Sequence, residues 1–306
     1  MLPAVNGPSE QFLTGLDRIQ SAMNTVQRQL SSGFRVGLAS DDPFAVPSIL
    51  KTQSEIAQNN QAQTNLNQVK TELLTGDSSL QQAVALVEKA ITLASQAGST
   101  VNSNTQIANL AVQVQGIQEQ LVNLSNTSVG GRYIFSGDSD QQAAYALDST
   151  QTNGVQQLAA ANSTQVITDA NGNQLWTPMT AQQIFDARNA GGTAAAGNVF
   201  AAVNSLLTAL QNNDSSAAVG TMDSLKAADD HLNQQLGLIG IAETRVTDAN
   251  TAAAKSVTTE QQDLSGLRDA DTAGDAIQLT QLNTQQQAAL SARAKMSQYN
   301  LFDFLA

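Results

Sequence analysis

Apolar residues recur along this chain in steps of three and four over most of its length. The cleanest stretch is Ile107, Leu110, Val114, Ile117, Leu121 and Leu124. Such spacing, near 3.5 residues against 3.6 per helical turn, keeps one narrow stripe facing a partner helix. Gln118 lies one step off that stripe and is expected at the surface. Asn126-Thr127-Ser128 are poor helix formers, and Gly130-Gly131 ends the helix. The aromatic and β-branched run Arg132-Tyr133-Ile134-Phe135-Ser136-Gly137 reads as a strand.

Residues 1–11 carry Pro3, Gly7 and Pro8 and are expected to be frayed. From Phe12 the stripe is Leu16, Ile19, Met23, Val26 and Leu30, with Asp17, Gln20, Asn24 and Gln27 opposite. It suits a helix that joins an oligomer, and equally one packed on its own domain. Ser31-Ser32-Gly33 stops it, and Asp41-Asp42-Pro43 looks like the next helix start, with Pro47 pushing the regular helix further on. From there to Ala97, Leu66, Leu73, Leu80, Val87 and Ala94 recur at seven. A helix of roughly 50 residues would be about 80 Å long. After a polar turn at 98–105, the Ile107 helix runs back, making an antiparallel hairpin.

Periodicity disappears over 138–198. Gln165–Thr168 and Gln174–Thr177 flank Asn171-Gly172, a β-hairpin signature. Tyr133, Phe135, Tyr145, Trp176 and Phe185 suggest that this region has a core of its own. Helical spacing returns with Val199, Val203, Leu206 and Leu210, breaks at Asn212-Asn213-Asp214, and resumes as Leu225, Leu232, Ile239 and Val246. Gly237, Gly240 and residues 247–259 weaken the case for one unbroken helix. The last stripe is Leu282, Ala289 and Met296, and the chain finishes with Leu301, Phe302, Phe304 and Leu305. Each terminal stripe is too narrow to offset its own ordering entropy, so facing stripes from neighbouring subunits are expected to complete it. The terminal apolar cluster wants a partner too, unless it tucks back onto this chain. The fold expected is mainly α: a long antiparallel helical rod built from N- and C-terminal arms, terminal coiled-coil segments, and a small β-containing insertion. The domain divisions expected are 1–43 with 266–306, 44–135 with 199–265, and 136–198.

Composition narrows the chemistry. Of 306 residues 41% are hydrophobic but only 4% aromatic, which fits thin helical bundles better than a thick core. A net charge of -12 gives no footprint for nucleic acid or an anionic membrane. No cysteine is present, so disulfides and thiolate sites are absent. His231, the one histidine, reads as solvated on a helix face, and no G-x-S-x-G elbow or phosphate loop occurs. Asp169-Ala170-Asn171-Gly172-Asn173 has its glycine at the wrong place for a calcium loop, with Thr180 at the twelfth position, and reads as a turn. Asp41-Asp42 and Asp229-Asp230 are explained by capping and solvation. No catalytic, cofactor or metal residues are therefore assigned. The start lacks a signal-peptide pattern, and no run of eighteen apolar residues exists. Ordinary sorting logic then gives a cytoplasmic protein, although some export machines read an uncleaved N-terminal segment.

Three segments together resemble the bacterial flagellin superfamily, in its hook–filament junction branch. They are Gln29-Leu30-Ser31-Ser32-Gly33-Phe34-Arg35-Val36 with Ala39-Ser40-Asp41-Asp42-Pro43; Gly130-Gly131-Arg132-Tyr133-Ile134-Phe135-Ser136-Gly137; and Ser297-Gln298-Tyr299-Asn300-Leu301-Phe302-Asp303-Phe304-Leu305, with Asp269-Ala270-Asp271 upstream. The resemblance covers about 12–137 and 200–306, and the opening Leu2-Pro3-Ala4-Val5-Asn6-Gly7-Pro8 departs from the short basic start of the family. It implies an extracellular structural subunit, exported without a cleaved signal peptide, that joins hook to filament. Its partners would be the first hook-associated protein, flagellin, further copies of itself, and an export chaperone on the C-terminal segment. The assembly interface would be Leu16, Ile19, Met23, Val26, Leu30, Leu282, Ala289, Met296, Leu301, Phe302, Phe304 and Leu305. A filament subunit is the close rival reading, and a helical signalling rod the rival from another class.

Overall fold

The computed structural model describes residues 7–99 and 103–296. Helices α1 (Gly7–Ser32), α2 (Val46–Ala97) and α3 (Asn104–Ser125) come first. Three short antiparallel pairs follow: β1 (Ser128–Val129) with β2 (Arg132–Tyr133), β3 (Tyr145–Leu147) with β4 (Val155–Gln157), and β5 (Ile167–Thr168) with β6 (Gln174–Trp176). The chain returns to helix in α4 (Ala181–Phe185), α5 (Val199–Gln211), α6 (Ser215–Gly220), α7 (Met222–Arg268) and α8 (Thr272–Met296). It is the mainly helical fold with a small β-containing middle that the periodicity predicts. Of the described residues, those up to Asn59 and from Lys255 onward form one compact unit, and those within Asn60–Ala254 form a second.

In the second unit the heptad positions are the core. Leu66, Leu73, Leu80, Val87 and Ala94 on α2 are all buried, as are Ile107, Leu110, Val114, Ile117 and Leu121 on α3. Leu225, Leu232, Ile239 and Val246 on α7 complete them, with Val199, Val203, Leu206 and Leu210 from α5. Helix α7 runs unbroken through Gly237 and Gly240, contrary to expectation. Burial of its seam on both sides of them outweighs roughly 1 kcal/mol of propensity lost at each glycine. Helix α1 likewise begins earlier than expected, at Gly7, with Pro8 in a first turn whose N–H groups have no intrahelical acceptor anyway. A capping box closes the start of α3: the Ser103 hydroxyl accepts from the Gln106 N–H, and the Gln106 side chain accepts from the Ser103 N–H.

The middle region does not keep a core to itself. Phe185 stacks on Phe200 of α5 (5.8 Å between centroids) and meets Phe135 edge-on, while Tyr145 leans on Phe200 at 5.1 Å. These rings belong to the same continuous apolar cluster as the α2, α3 and α7 seams. The strand expected over 132–137 is only two residues long, because the Ala181 N–H takes the Phe135 carbonyl and Phe135 turns inward. The Asn171-Gly172 hairpin forms as expected, with Asp169 Oδ1 accepting from the N–H groups of Asn171 and Asn173, both at 2.8 Å. The β3–β4 pair and α4 have too few residues to leave a periodic trace.

Asp186 fixes this region in place. Its carboxylate is 1% exposed and accepts from the Tyr145 hydroxyl (3.0 Å), Asn153 Nδ2 (3.1 Å), Asn198 Nδ2 (2.7 Å) and Arg188 Nε (2.9 Å), with a second Arg188 contact. A buried charge is tolerable when its lone pairs are filled in this way. Burial, and then the Asp186 charge, push the Tyr145 hydroxyl far above its ordinary range, so it stays a donor. His231 differs from its reading as a solvated residue. Its Nε2 donates to the Gln183 carbonyl at 2.9 Å, and a Cβ on Gly197 would sit 2.8 Å from its ring, so it pins α7 to α4 and to the entry of α5.

Gln118 also departs from expectation. It is buried, and its Nε2 donates to Asn204 Oδ1 on α5 at 3.2 Å, because α5 covers the flank of α3 that one seam alone would leave open. Ile117→Ala should cost about 2–5 kcal/mol through lost transfer energy and a residual cavity. Gln118→Ala should cost about 1–3 kcal/mol by stranding Asn204, and the exposed Gln120→Ala less than about 0.5 kcal/mol. Urea unfolding of the three variants checks that order. Asp186→Ala should cost roughly 3–5 kcal/mol, since the buried donors Tyr145 and Asn198 lose their acceptor together with Asn153 and Arg188; thermal melts in which it unfolds like a surface variant would contradict that.

Candidate assembly interface

Within the first unit, the residues that close α1 and α7 are tied to each other. Gly33 takes a left-handed conformation (φ 73°) that an L side chain resists, and its carbonyl accepts from the Ala270 N–H at 2.9 Å. The Arg268 carbonyl accepts from the N–H groups of Arg35 (2.7 Å) and Val36 (3.1 Å), so 33–36 and 268–270 lie antiparallel as a small clasp. Arg35 reinforces it, one guanidinium nitrogen donating to the Leu267 carbonyl at 2.5 Å and another to Asp42 Oδ2 at 3.0 Å. The Arg268 guanidinium sits 4.1 Å from the centroid of the Phe34 ring. Val36, Ile49 and Leu264 form a small buried cluster beneath.

The two aspartates of Asp41-Asp42-Pro43 have separate tasks. Asp41 Oδ2 accepts from the N–H groups of Gly37 (3.1 Å) and Leu38 (2.8 Å), closing the loop that follows the clasp. Asp42 Oδ1 accepts from the Ala45 N–H at 3.1 Å, the start of α2. The hydrogen bond from Arg35, followed by that from Ala45, holds the Asp42 carboxyl below its usual range. Asp269 is lowered as well, chiefly by a hydrogen bond from the Ser265 side chain and then by Arg268.

From the clasp, α1 and α8 run alongside each other, and the Arg293 guanidinium lies 5.6 Å from the Phe12 ring at the far end, so the helices are antiparallel. Val26 and Leu282 are buried, while Leu16, Ile19, Met23, Leu30 and Ala289 are half-buried. Met296 closes α8, and Leu301, Phe302, Phe304 and Leu305 lie outside the described residues. Within this chain, the stripe of each terminal helix faces the other terminus. Apolar residues remain on the outside, Leu13 at 57%, Ile277 at 62% and Leu290 at 49% exposed. Phe44 is 94% exposed beside Leu38 and Leu50, and sequence reading passed it over although a phenylalanine between Pro43 and Pro47 is a visible oddity. Among the described residues no group of three histidine or carboxylate side chains is placed to hold a metal, and no helix is long and apolar enough to cross a membrane.

The description "Bacterial flagellin N-terminal helical region" matches residues 4–140, and "Bacterial flagellin C-terminal helical region" matches 221–305. This chain belongs to the bacterial flagellin family. It is similar to flagellar hook-associated protein 3 of Escherichia coli K12, 28% identical over 207 residues that make up 66% of this chain and 64% of that one. It is also similar to flagellin of Bacillus subtilis 168, at 27% identity over 311 residues, 96% of this chain and 97% of that one. Its fold is that of flagellar hook associated protein-3 of Legionella pneumophila, with a TM-score of 0.60 at 13% identity over 72% of this chain and 98% of that one. The chain thus spans a little under two thirds of the hook-associated relative from E. coli. Both clasp segments lie in the matched family regions, and the family's middle, 141–220, is where the local structure is least regular.

A lowered carboxylate stabilises the fold above its ordinary pKa and ceases to as pH falls through the lowered value. Asp42 should therefore hold the clasp from neutral pH down to about 3.9, the ordinary value, and release Arg35 only below it. Amide exchange over 33–45, corrected for intrinsic rates, should be faster in Asp42→Asn at pH 7 than in the natural chain. The acid-dependent step should be smaller in that variant, with Asp269 supplying what remains.

Proposed function

We propose that this chain is a structural subunit of the bacterial flagellum, the adaptor that joins hook to filament. The alignment with hook-associated protein 3 of E. coli carries the reading, and the shared fold with the Legionella protein supports it. The subunit works outside the cell and performs no catalysis. Its partners are other axial proteins: the first hook-associated protein on one side, flagellin on the other, and copies of itself around the ring. An export chaperone takes the C-terminal segment before assembly.

In this reading residues 1–43 with 266–306 form the inner assembly layer, 44–135 with 199–265 the helical rod, and 136–198 the outward part. Leu16, Ile19, Met23, Val26, Leu30, Leu282 and Ala289 hold α1 to α8, so the terminal pair enters the assembly as one piece. Phe44, Leu13, Ile277 and Leu290, already exposed, meet neighbouring subunits. Met296, Leu301, Phe302, Phe304 and Leu305 add the terminal anchor. The full-length likeness to B. subtilis flagellin favours a second reading, in which this chain is the filament subunit itself.

Electron microscopy of cells lacking the protein separates the two. An adaptor leaves hooks without filaments and flagellin shed into the medium, whereas loss of the filament subunit leaves nothing to be shed. Intact filaments on such cells would remove both readings. Phe44→Ser should melt within about 0.5 kcal/mol of the natural chain, as exposed substitutions do, yet fail to restore filaments in those cells.

A further inference from the structure

Helices α2 and α7 lie antiparallel in the second unit, with Asn250 Nδ2 donating to Asn67 Oδ1 at 2.6 Å across their flank. Going up α2 and down α7 from that contact brings Asp77 level with Glu243, then Glu88 level with Asp229. Asp229 and Glu243 each follow a buried seam residue, Leu225 and Ile239, by four positions, which places both on one shoulder of the seam. That shoulder ordinarily carries opposite charges on the two helices; here it carries carboxyl against carboxyl twice.

Neither contact is relieved by a donor. Asp229 Oδ1 and Glu243 Oε1 are buried oxygens with no hydrogen-bond partner. Asp229 Oδ2 takes Asn233 Nδ2 at 3.1 Å, and Asp77 Oδ2 takes Gln81 Nε2 at 2.7 Å, so these neighbours serve the other oxygens. The charged groups facing Asp229 are Glu88 on α2 and Asp230 on its own helix. Those facing Glu243 are Asp77 and Lys70 on α2, with only Lys70 opposing the repulsion. A carboxyl so placed is most stable when it takes a proton from water, because burial and the facing negative charge both disfavour its anion.

We propose that Asp229 and Glu243, each level with a carboxylate of α2, take up protons on mild acidification and so make the helical bundle of residues 60–254 more stable at mildly acidic than at neutral pH. Desolvation first, then the facing carboxylate, raises the Asp229 and Glu243 carboxyls above their ordinary values. A raised acid gives its full stabilisation below the ordinary value and loses it as pH climbs through the raised one. The lowered group Asp42 acts in the opposite sense, only below about 3.9. Between pH 7.5 and 5 the protons taken up by Asp229 and Glu243 dominate.

The test is the melting temperature of the full chain at pH 7.5 and 5.0, followed by circular dichroism. The natural chain should melt roughly 4–8 °C higher at pH 5.0. Asp229→Asn with Glu243→Gln should melt above the natural chain at pH 7.5 and keep less than half of that pH difference. Glu119→Gln, an exposed carboxylate on α3, should keep all of it, which separates the pairs from a general relief of net charge. Asp77→Asn with Glu88→Gln removes the same contacts from the other helix and should flatten the profile equally, even if the first double variant does not fold. A natural chain that melts no higher at pH 5.0, or a folded double variant with the natural difference, overturns the proposal.

Discussion

The clasp between 33–36 and 268–270 is the constraint on which the terminal half of this structure turns. It needs a backbone that reverses at Gly33, a free carbonyl on Arg268 as α7 ends, and a guanidinium that reaches both Leu267 and Asp42. Once those are met, α1 and α8 leave the same point in the same direction. Two narrow stripes, neither of which suffices alone, then cover each other. Some of the residues through which the chain resembles its family build the clasp and the loop after it: Gly33, Arg35, Asp41 and Asp42 on one side, Asp269 and Ala270 on the other.

Much of the helical framework was legible from spacing alone. The heptad positions read on α2, α3 and α7 are buried apart from Leu124, which is half-buried at the end of α3, because a period of 3.5 residues suits a shared seam. What spacing could not show was which faces receive a second neighbour. Gln118 was read as exposed because one seam was visible; Asn204, which buries it, stands 86 residues later and has no periodic link to it. His231 was misjudged for the same reason, its acceptor being a backbone carbonyl that has no sequence signature. The short strands and α4 escaped because two or three residues cannot express a period.

Asp186 shows a different limit. Nothing around it in the sequence marks it as special, yet Tyr145, Asn153, Arg188 and Asn198 converge on it from four parts of the chain. A small-residue bundle with few aromatics cannot anchor an irregular excursion by apolar burial alone. One filled carboxylate, set among Phe135, Tyr145, Phe185 and Phe200, supplies the directionality that the rings lack. For the candidate interface the balance was reversed: the inward stripe was plain to see, while Phe44 needed coordinates to show that it stands 94% exposed among the described residues.

The clasp has a bearing on the order in which the protein comes into being. Arg35 and its acceptor on Leu267 are 232 residues apart, and the second unit's core lacks one wall until α7, which starts at Met222, has been made. A ribosome delivers the N-terminal arm first. That arm therefore waits through most of translation with its heptad stripe uncovered and its α1 seam without a mate. Closure comes only once residues 268–270 have emerged, and a chain kept from that contact is still an open thread.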